Sequence, residues 1–205
     1  GKILDYIADK DYIVYPEINV SCPNIPHKEQ LAYNYNELDC FLTNVMDEKY
    51  NKPYGLKLPP FFDPVHFMFI ANVINQHKNI KYLTCVNSVG NVLDVDISTN
   101  KGVIFPKNGL GGLGGDYILP VALSNVYQLK QILPNIDIIG CGGIKSGEDV
   151  YKHILVGASM VQIGTALNRD GLDIIPRILR ELEDIMIEKG YETLDDFKGK
   201  YNEIQ

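Results

Sequence analysis

The chain has 205 residues, 45% of them apolar, enough for one well-buried core and too few for two comfortable domains, so a single domain over 1–205 is expected. A formal charge of −7 and the lack of any Lys/Arg-rich run argue against a nucleic-acid footprint or an anionic membrane surface, which leaves small-molecule chemistry. Four scattered cysteines, Cys22, Cys40, Cys85 and Cys141, with no C-x-x-C pair and no His cluster at ligand spacing, argue against a disulfide framework and a zinc site.

Five short apolar runs read as buried strands: Ile13 to Val20, Tyr54 to Leu58, Ile80 to Val86, Ile136 to Gly140 and Met160 to Ile163. Helical spacing follows the second run from Asp63 to His77, with Phe67, Ile70, Ala71 and Ile74 on one face. Asp63 stands there as N-cap and Pro64 at the first helical position. After the third run, Asp94-Val95-Asp96 and Val103-Ile104-Phe105 flank a turn-like stretch, which predicts a small hairpin insertion near 92–106. A further helix starts at Ser146, whose hydroxyl is placed to accept from the amide near Asp149, and it ends near Gly157. The last helix runs from Gly171 to Lys189 and stops at Gly190, its charged residues forming a solvated face. No apolar stretch approaches the roughly 18–20 residues that span a bilayer, and Gly1-Lys2-Ile3-Leu4-Asp5 lacks the run of a signal peptide, so a soluble, cytoplasmic protein is expected.

Strand, helix and strand in repetition, joined by crossover-length connections, imply parallel strands with helices packed outside, in an open doubly wound sheet or a barrel. In either arrangement the strand ends are the place for chemistry. Those ends read Asn19-Val20-Ser21-Cys22-Pro23-Asn24, Lys57-Leu58-Pro59-Pro60, Asn87-Ser88-Val89-Gly90-Asn91, Cys141-Gly142-Gly143 and Gly164-Thr165, bland strands followed each time by polar or glycine-rich ends.

The motifs N-V-S-C-P-N-I-P, G-L-K-L-P-P, N-S-V-G-N, G-L-G-G-L-G-G-D-Y and C-G-G-I-K-S-G-E-D are similar, in order and spacing and over essentially the whole chain, to the class 1A dihydroorotate dehydrogenases. The resemblance implies an α/β fold, a TIM (β/α)8 barrel of the FMN-linked oxidoreductase type, of which this chain holds about the last five strands, four to eight. It implies oxidation of dihydroorotate to orotate through FMN, with fumarate as acceptor, in pyrimidine biosynthesis. A homodimer is implied, and a second segment is expected to complete the barrel.

The same resemblance assigns Cys22 as the base that takes the C5 proton of dihydroorotate. A free thiol titrates near 8.5, within reach of such a task, although a lone Cys is more often a small buried hydrophobe. Asn19, Asn24, Asn87 and Ser88 supply the mixed donors and acceptors that a planar pyrimidinedione needs, each of them otherwise an ordinary loop residue. Matching positions put Asn19, Lys57, Val86 and Gly115 at the flavin, with Lys57, otherwise read as a surface residue, beside its ring as a positive charge. Gly142, Gly143, Gly164 and Thr165 fall to the FMN phosphate, since glycines expose backbone N–H groups to an anion. The tract Gly109 to Gly115 taken alone is a flexible linker. A dihydropyrimidine dehydrogenase-type domain shares the S-C-P loop, but Asn24 and the lack of iron–sulfur cysteines argue against it. A non-catalytic module that binds a flavin, a nucleotide or a protein partner is the other reading.

Overall fold

The computed structural model describes residues 2–8, 10, 12–25, 28–50, 52–104 and 107–203. Its elements in chain order begin with α1 (Lys2–Ala8), β1 (Glu17–Asn19) and α2 (Tyr35–Phe41), which runs on into a π-helical stretch, Leu42–Tyr50. Then come β2 (Tyr54–Leu58), α3 (Pro64–Gln76), β3 (Ile80–Cys85), β4 (Val89–Leu93), β5 (Val95–Asp96), β6 (Lys101–Gly102) and β7 (Leu110–Leu113). The chain closes with α4 (Leu119–Ile132), β8 (Asp137–Cys141), α5 (Gly147–Leu155), β9 (Met160–Gln162), α6 (Thr165–Asp170) and α7 (Ile174–Lys189).

Five strands form one parallel sheet in the order β1-β2-β3-β8-β9. This is the expected partial barrel: neighbouring strands are joined by helical crossovers, as parallel pairing requires. Because side chains alternate, the register gives the sheet two unlike faces. Leu56, Leu58, Leu83 and Ile138 lie on the apolar face, fully buried together with Phe67, Ile70 and Ile74 of α3 and Ala122, Val126 and Leu129 of α4. On the other face stand Glu17, Lys57, Thr84, Cys141 and Gln162, a polar layer unsuited to a dry core. Gly55 leaves room on that face for Tyr82, whose ring lies about where a Cβ would be, 2.2 Å away at its nearest atom.

The strand expectations hold to within a few residues, the largest change being the first, where only Glu17–Asn19 pairs. α3 starts at Pro64, but the Asp63 side chain makes no capping bond; its carbonyl accepts from His66 N–H instead. Ser146 caps α5 as expected, its hydroxyl accepting from Asp149 N–H. α7 ends on Gly190 in the left-handed region, φ 73°. Its charged side is more than a solvated face, because Glu181 accepts from Gly147 N–H at 2.7 Å while Arg177 donates to the Lys145 carbonyl at 3.0 Å. The hairpin exists, but its second strand is Lys101–Gly102, pairing with Val95–Asp96. Phe105, expected in that strand, lies outside the described residues. The glycine tract is no linker: Leu110–Leu113 pairs antiparallel with Val89–Leu93 and brings β7 over the strand ends.

Candidate active site

The ends of β1, β2 and β3 are tied together by one buried hydroxyl. Ser21 donates to the Lys57 carbonyl at 2.7 Å and receives the Asn87 amide at 3.0 Å. Asn19 Oδ1 accepts from Ser21 N–H at 3.1 Å and from Asn87 Nδ2 at 3.2 Å, and lies 3.1 Å from Ser21 Oγ. Asn87 is also held by its own backbone, which donates to the Leu58 carbonyl, and its Oδ1 accepts from Ser88 N–H. Three loops from successive strands therefore move as one unit, and the carboxamides are oriented by their bonds rather than free to rotate.

Lys57 rises from this unit into the polar face. Its ammonium donates to Gln162 Oε1 at 2.9 Å and Cys141 Sγ at 3.2 Å. The Gln162 amide donates in turn to Glu17 at 3.0 Å, and Thr84 Oγ1 donates to the same carboxylate oxygen. Glu17 balances the ammonium through an amide rather than directly, so the positive charge stays at the strand ends and the negative one deeper in the sheet. Cys85 lies on the opposite face, fully buried, and burial pushes its thiol well up.

A cavity of about 170 Å³ opens where these strands end. Lys57, Val86, Asn87, Ser88, Gly115, Gly142, Gly143, Gly164 and Thr165 all line it, nine of the positions singled out in the sequence. Asn19 joins through its bond to Asn87. Cys22 and Asn24 are not among the lining residues: Cys22 is half-buried in the loop after β1 and Asn24 is exposed. Pro23 between them packs on Gly90 and Gly112, and Pro26 of the same motif lies outside the described residues.

Sequence reasoning missed four side chains. Cys141 and Gln162 stand in register on adjacent strands, a signal available from the two-residue period of Met160–Gln162. Asp116 lines the cavity with Lys145 and Arg169 each 3.6 Å away, so its charge is offset at the rim. His153 lies behind the cavity, donating from Nε2 to the Gly142 carbonyl at 3.2 Å, and burial depresses its pKa to about 4.

The family model described as dihydroorotate dehydrogenase matches residues 3–186. This chain belongs to the dihydroorotate dehydrogenase family. A protein of Lachancea kluyveri named dihydroorotate dehydrogenase (fumarate) is 45% identical over 204 residues, covering 99% of this chain and 64% of its own length. A protein of Streptococcus agalactiae serotype Ia with the provisional name dihydroorotate dehydrogenase A (fumarate) is 49% identical over 201 residues, 98% of this chain and 64% of its own. The chain thus spans just under two thirds of each of these dihydroorotate dehydrogenase relatives. Among solved structures, that of DHODH from Eimeria tenella in complex with ferulenol superposes with a TM-score of 0.74 at 22% identity, over 97% of this chain and 57% of that one, which shows the shared fold.

The cavity residues suit part of a flavin mononucleotide. Gly164 has open space where a side chain would stand, and Gly115, Gly142 and Gly143 adopt positive φ values of 71°, 135° and 78°, which present backbone to the cavity. Gly143 N–H has no protein acceptor among the described residues. One ammonium, oriented carboxamides and open backbone amides make a donor set for a phosphate and a polar planar ring. A complete cofactor pocket takes roughly 300–1,000 Å³, so the cavity of about 170 Å³ accounts for a portion of the group only.

Proposed function

We propose that this chain is the flavin-binding part of a dihydroorotate dehydrogenase barrel, corresponding to strands four to eight, which oxidises dihydroorotate to orotate with FMN and fumarate in pyrimidine biosynthesis. The observation that carries the reading is the single cavity joining Lys57, Asn87 and Ser88 to the glycines after β8 and β9. The fumarate acceptor is supported by the names of the two relatives described above. The reading places the protein in the cytoplasm as a homodimer, with a further segment completing the barrel; among the described residues no helix is long and apolar enough to cross a membrane.

Bound FMN supplies acceptance of a hydride from C6 of dihydroorotate and its delivery to fumarate. The protein's share is binding, orientation and proton transfer. Asn87, Ser88, Asn19 and Asn24 offer amide and hydroxyl partners to the ring carbonyls and N–H groups of the pyrimidinedione. Cys22, as thiolate, takes the C5 proton while the hydride leaves C6, so one proton and one hydride depart and a ring double bond forms. Lys57 holds positive charge where negative charge gathers during the transfer, already aimed by Gln162, so little reorganisation is required. Gly142, Gly143, Gly164 and Thr165 hold the phosphate end.

An absorption spectrum of the purified chain after incubation with FMN, repeated after anaerobic addition of dihydroorotate, tests the reading. Flavin bands that bleach are expected. Bands that persist on dihydroorotate would remove the substrate assignment, and a chain that retains no flavin would remove the cofactor.

A further inference from the structure

His153 of α5 is fully buried, stands outside the lining of the cavity, and bonds through Nε2 to the Gly142 carbonyl. A carbonyl only accepts, so Nε2 carries the proton and Nδ1 is left as a bare acceptor. No partner for Nδ1 exists among the described residues. An unsatisfied buried nitrogen is destabilising, and an apolar side chain would avoid that cost. Room for the ring is made by Gly140, where a Cβ would come within 2.3 Å of Nδ1. Two residues of the chain are thus given over to one hydrogen bond on the far side of the glycine turn.

Peptide planarity turns that bond into a statement about the cavity. In a trans peptide the carbonyl and the following N–H point in opposite directions. The Gly142 carbonyl is drawn back toward α5, so the Gly143 N–H is directed away from His153. Gly143 lines the cavity and its N–H has no protein acceptor among the described residues. Both glycines have positive φ, where a peptide unit flips readily unless something anchors it.

We propose that His153 is a positioning residue: by anchoring the Gly142 carbonyl it holds the Gly143 N–H toward the cavity as a donor for an anionic oxygen of the phosphate-monoester class. The assignment of that oxygen to FMN rests on the function proposed above, whereas the anchored peptide does not. Burial keeps the ring neutral, so the anchor stays a simple donor and adds no charge of its own behind the site.

The test uses the full chain, labelled with 15N, as wild type, His153→Gln and His153→Leu, titrated with FMN. In wild type the Gly143 amide resonance moves downfield on saturation, and His153→Gln, which retains a neutral donor, keeps that response. His153→Leu loses it and binds FMN at least about tenfold more weakly. A His153→Leu chain with native near-UV circular dichroism, wild-type affinity and the wild-type Gly143 response overturns the proposal. Should His153→Leu fail to fold, the wild-type Gly143 resonance decides: a response to FMN upholds the oriented donor and none overturns it. If wild type takes no FMN, the cofactor reading fails by itself, and inorganic phosphate replaces FMN as probe. A Gly143 response present in wild type and His153→Gln then supports the anchor, and its absence from wild type overturns it.

Discussion

Cys22 and His153 show two ways in which a titratable side chain relates to the site. Cys22 sits half-buried on the loop that Pro23 pins against Gly90 and Gly112. Replacing it with Ala removes no large packing surface. Cys22→Ala is expected to keep wild-type flavin content and to slow reduction by dihydroorotate by about 10²–10⁴-fold, the usual worth of a positioned base. Stopped-flow bleaching measures it, and wild-type reduction rates would end the assignment. His153 titrates near 4 in the folded chain against 6.5 when free, burial being the largest cause. Between those values the unfolded chain binds a proton that the folded one refuses. The stability His153 contributes is therefore complete above pH 6.5 and is lost as the pH falls toward 4, by up to ~3 kcal/mol. Urea denaturation of wild type and His153→Gln should show wild type losing more stability over that window. Parallel pH profiles would show that the folded ring titrates normally. Lys57, Asn87 and the glycines were legible as strand-end residues and line the cavity, whereas Cys22, from the same kind of motif, is not among its lining residues. His153 was not legible: no motif marks it within its helix, and only the fold brings its Nε2 against the Gly142 carbonyl.

Among the elements, the central strands were legible because each is a short apolar run with a polar end, and β2 was predicted residue for residue. The β4–β7 pairing was not, since glycine-rich sequence carries no strand pattern. There the glycines serve close approach: a Cβ at Gly112 would fall 2.3 Å from Ser88 Oγ, and one at Gly111 the same distance from Ile104. The π-helical stretch Leu42–Tyr50 was likewise not read from the sequence. His77, at the end of α3 and only 4% exposed, bonds Asp47 through Nδ1 at 2.5 Å and Asp39 through Nε2 at 2.9 Å. That bridge fastens α2 and the π-helical stretch to α3 and, through Tyr54 and Asp47, to the start of β2. His77→Ala strands two carboxylates beside an emptied site and is expected to cost ~2 kcal/mol, less than a fully buried pair because both carboxylates keep solvent contact. Chemical denaturation measures the loss, and no flavin-site property should change apart from it. A drop in flavin affinity without loss of stability would mean that His77 acts on the site by another route.

At the scale of the molecule, β1 and β9 are the edges of a parallel sheet, and among the described residues no strand covers either outer side. Met160 on β9 is 61% exposed on the same face as Lys57 and Gln162. Unpaired parallel edges and an uncovered inner face are costly in water, and Gln162 of the β9 edge lines the cavity. A segment that pairs with both edges would bind the folded sheet in preference to the unfolded chain, and so raise stability by mass action as well as enlarge the pocket. Co-expression of this chain with the third of the Lachancea kluyveri relative that it does not span should accordingly give a complex that co-elutes on size exclusion. That complex should melt several degrees higher than the chain alone and carry more FMN per barrel. The same mixture with Lys57→Ala should still assemble, because Lys57 lies on the polar face and away from both edges, yet hold its flavin less tightly. Failure to co-elute, with melting temperature and flavin content unchanged by the added segment, would count against a segment that completes the sheet.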